Sequence, residues 1–134
     1  MTNITNMAFR TTKELSEKEC LLLLEKKDIN SQELQALISA KEANNISFNL
    51  VDVRELVEWH NARIKQVDYL IPTTSFYEKL KQIEDQKETA TIVYCHIGQR
   101  SEYCQKVMRD LGFKTVVNLS HGIAGYEGEL VSGQ

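Results

Sequence analysis

Four short apolar runs, each handing over to a segment of helical character, constrain this chain more than any other feature. The runs lie at 47–53, 67–71, 89–94 and 115–119. Three of the four are followed by helix candidates, at 55–62, 73–84 and 99–111, and a shorter one follows the last run at 123–127. Strands separated by helices imply a mainly parallel sheet with helices covering both faces. The expected class is therefore α/β. In such sheets ligands bind at the carboxyl ends of the strands.

Two further helices precede the first run. Residues 14–27 are rich in Leu, Glu and Lys, with Thr12 or Ser16 as the capping candidate. Ser31 is the expected N-cap of a second, in which Leu34, Leu37 and Ile38 share one face. Pro72 ends the 67–71 run, and Thr73 or Thr74 is expected to cap the helix that follows. The 99–111 segment carries Tyr103, Cys104, Val107, Met108 and Leu111 on its expected apolar face and is closed by Gly112.

The chain has 134 residues, 42% of them hydrophobic, which suits one core. Its net charge of −3 and lack of a Lys/Arg stripe argue against nucleic acid or an anionic membrane as partner. The longest all-apolar stretch of the N-terminal region, Cys20-Leu21-Leu22-Leu23-Leu24, falls far short of the roughly 20 residues that span a bilayer. The first residues lack the apolar core of a signal peptide, so a cytoplasmic location is expected. Three cysteines, Cys20, Cys95 and Cys104, form no disulfide framework. They and the three histidines, His60, His96 and His121, show no metal-ligand spacing, so neither metal nor cofactor is expected.

The chemistry concentrates at the end of the third run, in TIVYCHIGQRS, residues 91–101. Here a thiol, Cys95, stands between a strand and a helix. The segment His96-Ile97-Gly98-Gln99-Arg100 curls around its sulfur, and Gly98 admits the positive φ that turns successive N–H groups inward. The helix terminus adds unsatisfied amides and partial positive charge, and Arg100 adds a full charge. Such surroundings lower a thiol pKa and produce a nucleophile. The competing reading, a cysteine merely buried at a strand end, leaves the glycine and the cation unexplained. Cys104, on the apolar face of the helix, reads as core; about two turns along, it lies out of reach of Cys95. Cys20 reads as packing of the first helix.

Three stretches, in order, resemble the single-domain rhodaneses, or thiosulfate sulfurtransferases. LVDVRE at 50–55, followed by Glu58 and Trp59, is similar to the first family signature. IVYCHIGQRS at 92–101 resembles the active-site loop C-x-x-G-x-R-S, and LGFKTVVNLSHGIAGY at 111–126 the closing segment. The segment ARIKQVDYLIP, 62–72, departs from the family's His-Ile-Pro-Gly-Ala stretch. The resemblance runs from about Ile29 to Leu130. It implies a mainly parallel five-stranded sheet, a rhodanese-like domain at 28–134, and an N-terminal helical extension at 1–27.

What the resemblance implies chemically is sulfur transfer through a Cys95 persulfide. The donor would be thiosulfate or a persulfide, and the acceptor a thiol or cyanide. The substrate cradle would be His96, Ile97, Gly98, Gln99, Arg100 and Ser101, with Arg100 either steering an anionic donor or bracing the loop. His96 is a proton handler or a solvent-facing loop residue. Asp52 and Arg54 are expected to support the loops rather than react, and the charged run 79–88 to be a solvated helix face. Loop length argues the same way: C-x4-R is one residue shorter than the C-x5-R loops of phosphatases and arsenate reductases, and fits one sulfur atom better than a tetrahedral oxyanion. The alternatives are a sulfur-delivery or interaction module, docking a protein through the apolar N-terminal helix, and, further off, a phosphatase- or arsenate reductase-like enzyme.

Overall fold

The computed structural model describes residues 14–134. In chain order the elements are α1 (Glu17–Leu24), β1 (Asp28–Ile29), α2 (Ser31–Glu42), β2 (Asn49–Asp52), α3 (Leu56–Asn61), β3 (Arg63–Ile64), β4 (Tyr69–Leu70), α4 (Phe76–Leu80), β5 (Thr91–Tyr94), α5 (Gln99–Asp110), β6 (Val116–Leu119) and β7 (Leu130–Val131). Short 3-10 turns at 73–75, 81–86 and 123–125 complete the order.

Five strands form one sheet in the order β1-β6-β5-β2-β4, and every neighbouring pair is parallel. Its register sets Val51 beside Val93 and Val93 beside Asn118. From β2 the chain first builds outward to β4, then crosses to β5 and β6 on the other side. The order thus reverses between β2 and β5, and the crevice beyond their carboxyl ends is where such sheets place ligands. Strands β3 and β7 pair antiparallel in a separate two-stranded clasp.

Alternation along the strands divides the core in two. Leu50, Ile92, Tyr94, Val117 and Leu119 face Cys20, Leu24, Leu34, Leu37 and Ile38 of α1 and α2. Val51, Val53, Val93 and Cys95 face Phe76 and Leu80 of α4, Ile83, and Cys104 and Met108 of α5. Because both faces are covered, the central strands show no alternation of buried and exposed residues: all four residues of β5 and of β6 are buried, the polar Thr91 and Asn118 included. Cys95 continues the side of Val93, and so points toward α5.

Local chemistry revises several boundaries. Ser16 caps α1, its hydroxyl accepting from the Glu19 amide; Thr12 lies outside the described residues. The cap of α2 is Asn30 and not Ser31, because the chain leaves β1 at Ile29 and the next residue is the extended one, its side-chain Oδ1 accepting from the Glu33 amide at 2.8 Å. Ser31 is already helical, and its hydroxyl accepts from the Glu127 amide instead. Thr73 and Thr74 do not cap α4: both hydroxyls donate to Glu55, and the expected 73–84 helix breaks into 3-10 and α pieces with a kink at Ile83. On α5, Tyr103 and Leu111 are exposed. Ser101, Cys104, Gln105 and Met108, spaced three and four apart, form its buried stripe.

Candidate active site

The thiol of Cys95 lies just past β5, and the residue is fully buried. Three donors converge on its sulfur: the Gly98 amide at 3.1 Å, the Ser101 amide at 3.4 Å and the Ser101 hydroxyl at 3.4 Å. The Ser101 amide is free for this because the first amides of a helix have no intrahelical partner. Burial by itself would push the thiol pKa up. The Ser101 hydroxyl and the amides of Ser101, Gly98 and Ile97 outweigh it and hold the pKa below the ordinary thiol value.

The loop owes its shape to two glycines. Gly98 has φ +103° and sits at the N-cap of α5; a β-carbon there would lie 2.2 Å from the Ser120 carbonyl oxygen. Gly122 has φ +61°, and a β-carbon there would meet the His96 carbonyl oxygen at 2.2 Å. With these backbones in contact, the Ile123 amide donates to the Cys95 carbonyl at 2.9 Å, and the Ala124 amide to the His96 carbonyl at 2.9 Å. Asn118 of β6 ties in a third carbonyl, its Nδ2 donating to Gly98 O at 3.2 Å. The loop's carbonyls are thus held outward, which leaves its amides for the sulfur.

The charged residues are paired. Arg100 places Nη1 and Nη2 each 2.9 Å from the two carboxylate oxygens of Glu58 on α3. The Glu55 amide also donates to that carboxylate at 2.9 Å. The Arg100 bond, with this amide and despite partial burial, holds the Glu58 carboxyl at about 2. Arg54, at the end of β2, is buried against Asp52 in the same forked manner, with Nη2 to Oδ2 at 2.8 Å and Nε to Oδ1 at 3.0 Å. It also donates to the Ala62 carbonyl, tying β2 to the end of α3.

Of the residues expected at the site, Cys95, Gly98 and Ser101 meet directly, and Ile97 contributes through its amide while its side chain is 53% exposed. His96 and Gln99 are exposed on the rim. Asp52 and Arg54 pair with each other beside the loop. Cys104 shares a core cluster with Cys95, and burial, reinforced by the Cys95 charge, pushes its thiol up to about 12. Sequence reasoning assigned no part to Glu58, Asn118 or Gly122. Asn118 and Gly122 stand inside the quoted closing segment and Glu58 just after the first signature, but no local feature gave any of them a part. Among the described residues no group of His, Cys, Asp and Glu converges as metal ligands would, and no helix is long and apolar enough to cross a membrane.

A wholly parallel sheet, a switch point between β2 and β5, and a strand-to-helix loop folded on a buried thiol define a class of protein that other chains share. The chain matches the Rhodanese-like domain family over residues 30–129 and belongs to it. It is 34% identical over 106 residues to YtwF, a candidate sulfurtransferase of Bacillus subtilis, covering 79% of this chain and 95% of the relative. It is also 34% identical over 83 residues to YrkF, a candidate sulfur carrier protein of the same organism, covering 62% of this chain. There it spans only 43% of the relative's length, and 28% of that of a tRNA uridine(34) hydroxylase from Chlamydia pneumoniae. Among solved structures it is similar to a rhodanese-like domain protein of Staphylococcus aureus, with TM-score 0.67 and 24% identity, covering 81% of this chain and all of the other. A thiosulfate sulfurtransferase of Pseudomonas aeruginosa gives TM-score 0.68 at 21% identity, over 81% of this chain and 20% of that one.

Proposed function

We propose that this protein is a sulfurtransferase that carries sulfane sulfur as a persulfide on Cys95. The observation that carries the reading is the convergence of two amides and a hydroxyl on a buried thiol whose pKa they hold low. The Cys95 thiolate attacks the outer sulfur of a donor such as thiosulfate. A new S–S bond forms, the old one breaks, and sulfite leaves with its electron pair. An acceptor thiolate, or cyanide in an assay, then attacks the outer sulfur, and the Cys95 thiolate is released. The same donors that stabilise the thiolate receive that charge at the end of each cycle. Since Cys95 is buried, the outer sulfur, about 2 Å farther out along the new bond, is the atom offered to the acceptor.

In this reading Gly98 and Ser101, with the Ile97 amide, form the cradle; His96 and Gln99 border its mouth; Arg100 braces the loop through Glu58; and Asp52 with Arg54 supports it from β2. No cofactor enters the scheme, and a reducing cytoplasm keeps the three free thiols available. The C-x4-R spacing favours this over phosphate or arsenate chemistry. Incubation with thiosulfate followed by intact mass measurement tests it: the protein gains one sulfur atom, and Cys95→Ser does not. Full sulfurtransferase turnover in Cys95→Ser would overturn the scheme.

A second reading rests on α1, where Leu21 and Leu22 are 48% and 57% exposed. There the protein delivers sulfur to a protein docked on the N-terminal helix, with little turnover of thiosulfate. Its mark would be negligible thiosulfate turnover together with sulfur transfer to a purified carrier that is lost on replacing Leu21 and Leu22 by polar residues.

A further inference from the structure

Both guanidinium groups that flank the loop face carboxylates in closed, two-point contacts: Arg54 with Asp52, and Arg100 with Glu58. The Arg54 pair is buried and also satisfied by the Ala62 carbonyl, so it has nothing to offer a ligand. The Arg100 pair is different. It is partly exposed, with side chains 37% and 30% accessible, and the Cys95 thiolate is among the charges that act on Arg100. Glu58 occupies both terminal nitrogens of Arg100, the pair of donors with which a guanidinium would bind a dianionic oxoacid in forked fashion. The carboxylate is itself fixed, since the Glu55 amide donates to it and Arg100 keeps it ionised far below neutrality. What remains around the sulfur is a set of neutral donors with no uncompensated guanidinium.

We propose that Glu58 sets the charge of the sulfur donor: by closing on Arg100 it withholds the loop's cation, and the site takes a monoanionic or neutral sulfane-sulfur donor, such as an organic persulfide or thiosulfonate, in preference to the thiosulfate dianion. Glu58 acts here through Arg100 and is a specificity-setting, positioning residue. The donor preference rests on the sulfur-transfer reading above; the electrostatic assignment does not.

The test separates the two. Cys95 is alkylated with iodoacetate, an anion, and with iodoacetamide, its neutral counterpart, and the rate ratio is followed by peptide mass mapping. The ratio cancels changes in thiol reactivity and reads the charge at the mouth. Four proteins are compared: wild type, Glu58→Gln, Arg100→Gln and the double variant. Freeing one charge at this range changes the ratio about three- to tenfold, so it rises in Glu58→Gln, falls in Arg100→Gln, and returns to the wild-type value in the double variant. Should Glu58→Gln not fold, the fall in Arg100→Gln and its recovery in the double variant carry the same comparison. A ratio that does not follow the charge of the pair overturns the proposal, as does a wild-type ratio that already favours the anion and collapses in salt. In a second arm, Glu58→Gln raises kcat/KM for thiosulfate relative to a monoanionic aryl thiosulfonate by a similar factor; an unchanged relative value overturns the donor preference. If no protein forms a persulfide while the alkylation ratios track charge, the sulfur-transfer reading fails and the electrostatic assignment stands.

Discussion

At the scale of single residues, the site is a contest between burial and hydrogen bonding at one sulfur. Ser101 contributes twice, through its amide and its hydroxyl. A hydrogen bond to a charged group contributes about 1.5–3 kcal/mol, and one pKa unit corresponds to about 1.4 kcal/mol. Ser101→Ala should therefore raise the Cys95 pKa by about one unit or more. Below that pKa the thiolate fraction falls about tenfold, which the pH profile of iodoacetamide alkylation measures. Gly98→Ala meets both a positive φ and the Ser120 carbonyl. It should cost at least about 1–3 kcal/mol in urea unfolding and slow alkylation of Cys95 as the amide moves. Glu58 gives a pH signature: its carboxyl lies at about 2 when folded, against an ordinary value of 4.5. Its ion pair therefore stabilises the fold fully above about pH 4.5 and loses that contribution as pH falls toward 2. Glu58→Gln should flatten the acid-unfolding curve over that window. The thiol, the glycine and the serine were legible because seven consecutive positions contain them. The job of Glu58 was not, because its partner Arg100 is 42 positions away.

At the scale of elements, helical spacing identified α1, α2 and α5, and erred where caps and faces depend on neighbours. Tyr103 has the character of a core residue but stands one position off the stripe formed by Ser101, Cys104, Gln105 and Met108. The polar Gln105 is buried because its Nε2 donates to the carbonyls of Lys27 and Val116, both at 2.8 Å, which no periodicity reveals. Helix α1 begins before the residues matched to the family, yet it closes one face of the core through Cys20 and Leu24. We propose the division into a 1–27 extension and a 28–134 domain on sequence grounds, and Leu24 measures how far the two are coupled. Leu24→Ala should destabilise by about 2–4 kcal/mol, and Leu22→Ala, on the exposed side, by no more than about 0.5 kcal/mol, both read from denaturant midpoints. A Leu24→Ala effect as small as that of Leu22→Ala would mean that α1 adds nothing to the core.

At the scale of the molecule, the clasp of β3 and β7 joins the region after α3 to the end of the described chain. Arg63 lies over the Trp59 ring at 4.7 Å and donates to the Gly133 carbonyl at 2.8 Å, and the Gly133 amide donates to the His60 carbonyl at 2.8 Å. Removing residues 130–134 leaves β3 without its partner and should lower stability by about 1–3 kcal/mol. The pH profile of Cys95 alkylation should stay in place, because the clasp meets β5 at the Tyr94 hydroxyl, to which the Ile64 amide donates at 3.2 Å, and supplies none of the donors to the Cys95 sulfur. The two-residue strands β1, β3 and β7 were invisible in the sequence, since so short a segment has no period to detect. The 67–71 run shortened to β4 because a side chain takes a backbone place: the Asp68 amide donates to the Leu50 carbonyl at 2.8 Å, but the Leu50 amide donates to the Asp68 carboxylate, also at 2.8 Å, and not to a backbone carbonyl.

By itself, the order of residues determined the layered α/β class, the placement of a thiol at a strand's carboxyl end, and the loop chemistry around it. These are local properties, written in periods of two and 3.6 and in a few adjacent side chains. Only the tertiary structure decided that α3 would lay Glu58 against Arg100, that β6 and the turn at Gly122 would hold the loop's carbonyls outward, and that Tyr103 would face solvent. Each of those outcomes depends on which distant segments the sheet order β1-β6-β5-β2-β4 brings together, and a chain read one window at a time contains no such distances.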